Sequence, residues 1–190
     1  MKKKWLGSSI GTFVLIFMAV VLYLQYLMQP GKDLEINPNA PMPDGLHPIV
    51  EEKTNQLIQH SAEKGISIVI TDGFRSAEDQ DKLYEKGRSA EGSIVTYARG
   101  GESYHNFGLA VDFAIKLPSG EVIWDMTYDG NGNSIPDWTE VVSFAKGLGF
   151  EWGGDWVRFK DYPHLQMDFG LSIAALQRGE RPEQQQSADS

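Results

Sequence analysis

From Trp5 to Gly31 the chain carries no charged residue, and Ile10 to Leu24 is almost wholly apolar. A span of roughly 20 apolar residues is what crosses a bilayer as a helix. Lys2, Lys3 and Lys4 stand on its short flank, and basic residues favour the cytoplasmic side. The pattern therefore predicts a cytoplasmic stub and transmembrane signal anchor over 1–28, with the rest of the chain outside the cell. The exit, Leu24-Gln25-Tyr26-Leu27-Met28, offers no small-x-small cleavage site, which favours an anchor over a removed signal peptide. If the segment were cleaved, the product would be secreted.

Residues 29–43 are rich in proline and polar groups and read as a linker. Beyond it, Val50, Thr54, Leu57, Ile58 and Ser61 fall on one face at helical spacing. Pro48 suits the first turn and Gly65 the stop. Ile66 to Thr71 is a short β-branched strand, and Asp72 to Arg75 a loop. Ser76 to Asp79 resembles a capping box with Asp in place of Glu, opening a helix that stops at Gly87. Gly108 to Ile115 predicts a strand with Ala110, Asp112 and Ala114 on one face and Leu109, Val111 and Phe113 on the other. Pro118-Ser119-Gly120 turns it into Glu121 to Trp124. Trp138, Val141, Val142, Ala145 and Leu148 mark a helix ending at Gly149. His164 to Phe169 alternates, with Leu165, Met167 and Phe169 opposite His164, Gln166 and Asp168. Helices and strands mix without regular βαβ alternation. This predicts an α+β domain over 44–172, with a small, largely antiparallel sheet and flanking helices, preceded by one N-terminal transmembrane helix. The remainder, 173–190, lacks apolar periodicity and reads as a disordered tail.

Composition narrows the chemistry. The chain of 190 residues has no cysteine, which excludes disulfides, cysteine-ligated zinc, a thiol nucleophile and a lipoprotein anchor. All 26 acidic residues lie beyond the predicted anchor, with 17 − 3 = 14 of the basic ones, so the external part carries 14 − 26 = −12. Such a surface argues against a nucleic-acid partner. Nothing in the pattern indicates a protein partner.

The chemistry gathers at two places. In Glu102-Ser103-Tyr104-His105-Asn106-Phe107-Gly108-Leu109-Ala110-Val111-Asp112-Phe113, Asp112 sits on a strand face kept small by alanines. A carboxylate on a central strand must be paired, hydrogen-bonded or metal-bound. His105 precedes the strand and can fold back over that face. The alternative is an aspartate paired with an arginine and a surface histidine. Asp161-Tyr162-Pro163-His164 then places a carboxylate three residues before a histidine at the mouth of the last strand. Two His and one Asp form a usual ligand set for catalytic zinc, which leaves Asp161 as a base beside the metal. Arg75, in a strand-end turn, could hold a carbonyl oxygen or carboxylate, or form a surface salt bridge. His47 and His60 read as structural or surface residues.

Ser103-x-His105-x-x-Gly108-x-Ala110-x-Asp112, followed by Asp161-x-x-His164 and with Arg75 upstream, resembles the VanY-like zinc peptidases of bacterial cell-wall metabolism. These comprise D-alanyl-D-alanine carboxypeptidases and L-alanyl-D-glutamate endopeptidases. The resemblance covers about 44–168, including Phe150 to Trp156. It implies that His105, Asp112 and His164 bind one zinc ion, that Asp161 is the catalytic base, and that Arg75 and Ser103 bind substrate or the tetrahedral intermediate. It implies peptidoglycan stem peptides as substrate. The carboxypeptidase branch has Glu-x-x-His where this chain has Asp-x-x-His, which favours cleavage of the L-alanyl-D-glutamate bond. The rivals are D-alanyl-D-alanine carboxypeptidase activity and a non-catalytic, zinc-holding wall or signalling domain of the hedgehog type. Trp152 and Trp156 either wall the cleft or pack in the core.

One stretch stands apart. Asp129, Asn131, Asn133, Asp137 and Glu140 place oxygen ligands at positions 1, 3, 5, 9 and 12 of an EF-hand loop, making it a candidate calcium site. Ser134 replaces the expected glycine, and Pro136 stands where an apolar residue is usual. The other reading is a polar turn whose Asp137 caps a helix.

Overall fold

The computed structural model describes residues 40–183. The expected anchor over 1–28, most of the expected linker over 29–43 and the last residues of the expected tail lie outside the described residues. Among those described, no helix is long and apolar enough to cross a membrane.

Helix α1 spans Pro48–Glu63, with the proline in its first turn and His47 Nδ1 accepting the Ile49 N–H. Its buried stripe is Val50, Thr54, Leu57 and Ser61. Strand β1 is Ile68–Asp72, and helix α2 is Ala77–Glu85, where the Ser76 side chain caps by accepting the Asp79 N–H. A 3-10 turn at Tyr104–Phe107 leads into β2, Ala110–Lys116, and then β3, Val122–Ile123. Helix α3 is Asp137–Gly147 and β4 is Glu151–Trp152. A second 3-10 turn, Gly153–Asp155, is followed by β5, His164–Gln166, and helix α4, Ile173–Gln177.

The sheet has the order β1-β2-β5-β4, with β3 also paired to β2, and every pairing is antiparallel. The α+β expectation holds. The alternation in β2 divides the molecule into two sides. Leu109, Val111, Phe113 and Ile115 pack with Leu165, with Val50 and Leu57 of α1, and with Trp138, Val141 and Ala145 of α3. The Phe113 and Trp138 rings lie 4.4 Å apart. Burial of these large side chains removes most of their apolar area from water, which is the main force holding the sheet to the helices. The opposite side, bearing Asp112, is left for chemistry.

Three expectations need correction. The last alternating strand ends at Gln166, and the alternation does not reach Phe169, which adopts a left-handed backbone (φ 51°) and packs its ring against His47. The ordered domain also does not stop at 172. Ser172 caps α4, and Ala175 and Leu176 are buried, so this segment has an apolar face that is too short to register as periodic. The acidic loop is tied together by its own hydrogen bonds. Asp129 accepts the backbone N–H groups of Gly132, Asn133 and Ser134. Glu140 accepts the side-chain amides of Asn131 and Asn133. Asp137 accepts the Gly130 N–H, and it opens α3 as its first residue rather than capping it. Local hydrogen bonds thus satisfy all the groups read as calcium ligands, and nothing supports calcium.

Gly108 shows how backbone geometry serves the site. It ends the 3-10 turn with φ 68°, and a Cβ there would stand 2.2 Å from the Gly45 carbonyl oxygen. The left-handed region costs an L residue roughly 1–2 kcal/mol before any collision. Gly108→Ala should therefore lower stability by at least about 2 kcal/mol in urea unfolding. A change within about 0.5 kcal/mol would show that the turn can rearrange.

Candidate active site

Across the sheet, Asp112 is the register partner of Asp72 on β1 and of His164 on β5. His105 enters from the 3-10 turn, which a reciprocal capping box shapes between Ser103 and Asn106. Asp112 Oδ1 then lies 3.3 Å from His105 Nε2 and 3.3 Å from His164 Nδ1, and the two ring nitrogens are 3.2 Å apart. These three side chains offer ligand atoms within 4.8 Å of one another, and they form the one such group of His, Asp and Glu among the described residues.

The remaining contacts of the rings decide what the cluster can hold. His105 Nδ1 stands 2.7 Å from the Gly73 carbonyl oxygen, which can only accept. His164 Nε2 stands 3.0 Å from Gln166 Oε1. With those nitrogens donating, the two that face Asp112 carry lone pairs. Asp112 Oδ1 has no hydrogen-bond donor although it is buried. With both rings neutral, three acceptors converge with no hydrogen between them, an arrangement that a bound metal ion or a proton on one ring relieves. The donor set, two imidazoles and a carboxylate, suits zinc with an open position. Without metal, burial opposes charge on Asp112, but His105 and His164 outweigh it and hold the carboxyl well below its usual range. Burial likewise lowers the proton affinity of His164, and Asp112 more than offsets this, so its pKa is raised.

A cleft of about 720 Å³ opens over the cluster, and Arg75, Ser103, Trp156 and Asp161 line it. Asp161 is brought in by the second 3-10 turn: its N–H donates to the Gly153 carbonyl, and the His164 N–H donates to the Asp161 carbonyl. Gly153 permits this approach, since a Cβ there would lie 3.0 Å from Asp161 Cβ and 2.4 Å from its carbonyl oxygen. Burial and then the charge of Asp112 raise the Asp161 pKa, opposed by His164, His105 and Arg75.

Sequence reasoning missed the partners of the predicted residues. Arg75 lines the cleft, but its guanidinium is already gripped. Nε and Nη2 donate to Asp72, and Nη1 donates to Gln80 at 2.7 Å. Of its five N–H donors three are used, leaving two. The fully buried Gln80 also donates to the Ala98 carbonyl, joining Arg75 to the cleft wall. Asn106 donates to the Arg75 carbonyl, and the Arg75 N–H donates to the His105 carbonyl, so the two loops are cross-tied. Ser103 lines the cleft and also caps the turn that carries His105. The tryptophans separate: Trp156 stands over the site with its ring 5.1 Å from that of His164, whereas Trp152 packs against the core and donates to the Tyr162 carbonyl. Gln166 shares the His164 face in the sequence alternation, which was the available signal for it.

A family model described as D-alanyl-D-alanine carboxypeptidase matches residues 96–167. Over 158 residues, 82% of this chain, the sequence is 54% identical to the peptidoglycan L-alanyl-D-glutamate endopeptidase CwlK of Bacillus subtilis, of which it covers 95%. It is 33% identical over 115 residues, 60% of this chain, to an L-alanyl-D-glutamate peptidase of a Listeria phage, spanning about a third (35%) of that protein. Among solved structures, the L-Ala D-Glu endopeptidase ChiX of Serratia marcescens aligns with a TM-score of 0.45 at 26% identity, over 73% of this chain and 95% of that one.

Proposed function

The chain belongs to the D-alanyl-D-alanine carboxypeptidase family of peptidases, and from that premise we propose that it is a zinc-dependent endopeptidase cleaving the L-alanyl-D-glutamate bond of peptidoglycan stem peptides. The observation that carries the substrate is the 54% identity to the B. subtilis enzyme over nearly all of that enzyme's length.

In this reading His105, Asp112 and His164 hold the metal. When bound, zinc supplies Lewis acidity toward a peptide carbonyl and acidifies water to a pKa of about 7. Asp161 accepts the proton of the attacking water and returns it to the leaving amine of D-glutamate. Arg75 presents its two remaining N–H groups to the carbonyl oxygen as negative charge develops there, preoriented by Asp72 and Gln80. Ser103 and Trp156 bound the substrate at the cleft wall. Localisation at the outer face of the membrane rests on the charge-free segment behind Lys2, Lys3 and Lys4.

The test uses a defined muropeptide carrying both L-alanyl-D-glutamate and D-alanyl-D-alanine bonds, with and without chelator. The expected products are a sugar-linked L-alanine and a free peptide beginning with D-glutamate, formed only without chelator. Release of D-alanine instead would assign the carboxypeptidase activity. No release of either would leave a zinc-holding binding domain.

A further inference from the structure

His164 must offer Nδ1 to the cluster, yet an imidazole can place its hydrogen on either nitrogen. The sheet contains a device that decides between them. Gln166 follows His164 by two residues and shares its face of β5. Its Oε1 lies 3.0 Å from His164 Nε2, and its Nε2 lies 3.0 Å from Glu151 Oε2. Glu151 is the register partner of Gln166 across the β4–β5 pair. A carboxylate only accepts hydrogen bonds, so Glu151 holds the amide nitrogen of Gln166 toward itself and leaves the amide oxygen facing His164. That oxygen can only accept, so His164 Nε2 carries the hydrogen and Nδ1 keeps its lone pair. Gln166 is 6% exposed and His164 5%, so water does not compete for the contact between them, while the Glu151 carboxylate reaches in from the exposed edge strand.

We propose that Gln166 and Glu151 are positioning residues that hold His164 as its Nε2–H tautomer and so present Nδ1 to the metal. The inference rests on the zinc-peptidase reading for its purpose, but the tautomer can be read without metal. His105 needs no such device, because the Gly73 carbonyl orients it directly. The short strand β4, only two residues long, thereby acquires a role: it places one carboxylate opposite one amide.

The experiment uses the full-length protein with 15N-labelled histidine, metal-free and at a pH that keeps the rings neutral, and reads the His164 tautomer from its ring nitrogen shifts. Zinc affinity is then measured by competition with a chromophoric chelator. The wild type should show only the Nε2–H form. Gln166→Leu should populate the Nδ1–H form and lose 10- to 100-fold in zinc affinity, the usual scale for losing a partner of a ligating histidine. Should that variant fail to fold, the exposed Glu151→Ala substitution frees the amide to flip and should give a mixed tautomer and a smaller loss. The exchange pair Gln166→Glu/Glu151→Gln retains an acceptor toward His164 and should restore both readouts. A general effect on stability would not produce that restoration. An unchanged tautomer and unchanged affinity in Gln166→Leu, or in Glu151→Ala if only that variant folds, overturns the proposal while leaving the zinc reading intact. A wild type that binds no zinc overturns both.

Discussion

Asp161→Asn should leave fold and zinc content unchanged while the rate of L-alanyl-D-glutamate cleavage falls by about 10²–10⁴, the scale of general acid–base work. The substitution nearly preserves shape but cannot take a proton from water. Asp161 is suited to this role by position. Its chain segment is pinned to Gly153 and to His164 by backbone hydrogen bonds, and it lines the same cleft as the His–Asp–His cluster. Its pKa is raised by burial and by Asp112, and a base works only when ionised. In the wild type, acidification through the Asp161 pKa should therefore remove activity, and Asp161→Asn should abolish that acid limb along with most of the rate. Near-normal hydrolysis by a zinc-loaded Asp161→Asn protein would place the base elsewhere.

His105→Ala should act differently, by emptying the site. The wild type should retain one zinc ion per chain after dialysis, and the variant should retain far less than one. Loss of the metal removes several kcal/mol of charge stabilisation, so hydrolysis should drop by on the order of 10³ or more. Folding should survive, because the ring lies on the chemical side of the sheet and contributes nothing to the cluster of Val111, Phe113, Leu165 and Trp138 on the other. Metal analysis and thermal melting separate these outcomes. Stoichiometric zinc in a folded His105→Ala protein would exclude this residue from the ligand set.

Much of this architecture is written in local patterns. The stripe of α1, the face of α3 and the alternation of β2 follow from 3.6- and 2-residue periods, and each is buried on the side its period indicates. The same alternation placed Asp112 on the side away from the core. Ser76 is legible as a cap because capping is a contact between residues three apart. Where the reading failed, the signal was too short or the groups had another way to be satisfied. Helix α4 has only five residues, and the acidic loop carries the residue types of a calcium site yet closes on its own amides.

The sequence by itself determined which residue types could meet at a metal and which side of each element they would occupy, because both depend on side-chain chemistry and on short-range backbone geometry. Only the tertiary structure decided that His105, Asp112 and His164 converge through particular nitrogens and a single oxygen. That depends on antiparallel register between strands far apart in the chain, and on the Gly73 carbonyl and the Gln166 amide that choose each tautomer. It also decided that Arg75 is held by Asp72 and Gln80 rather than left on the surface. No periodicity encodes such contacts, since hydrogen bonds between separate loops form only once burial has brought the loops together.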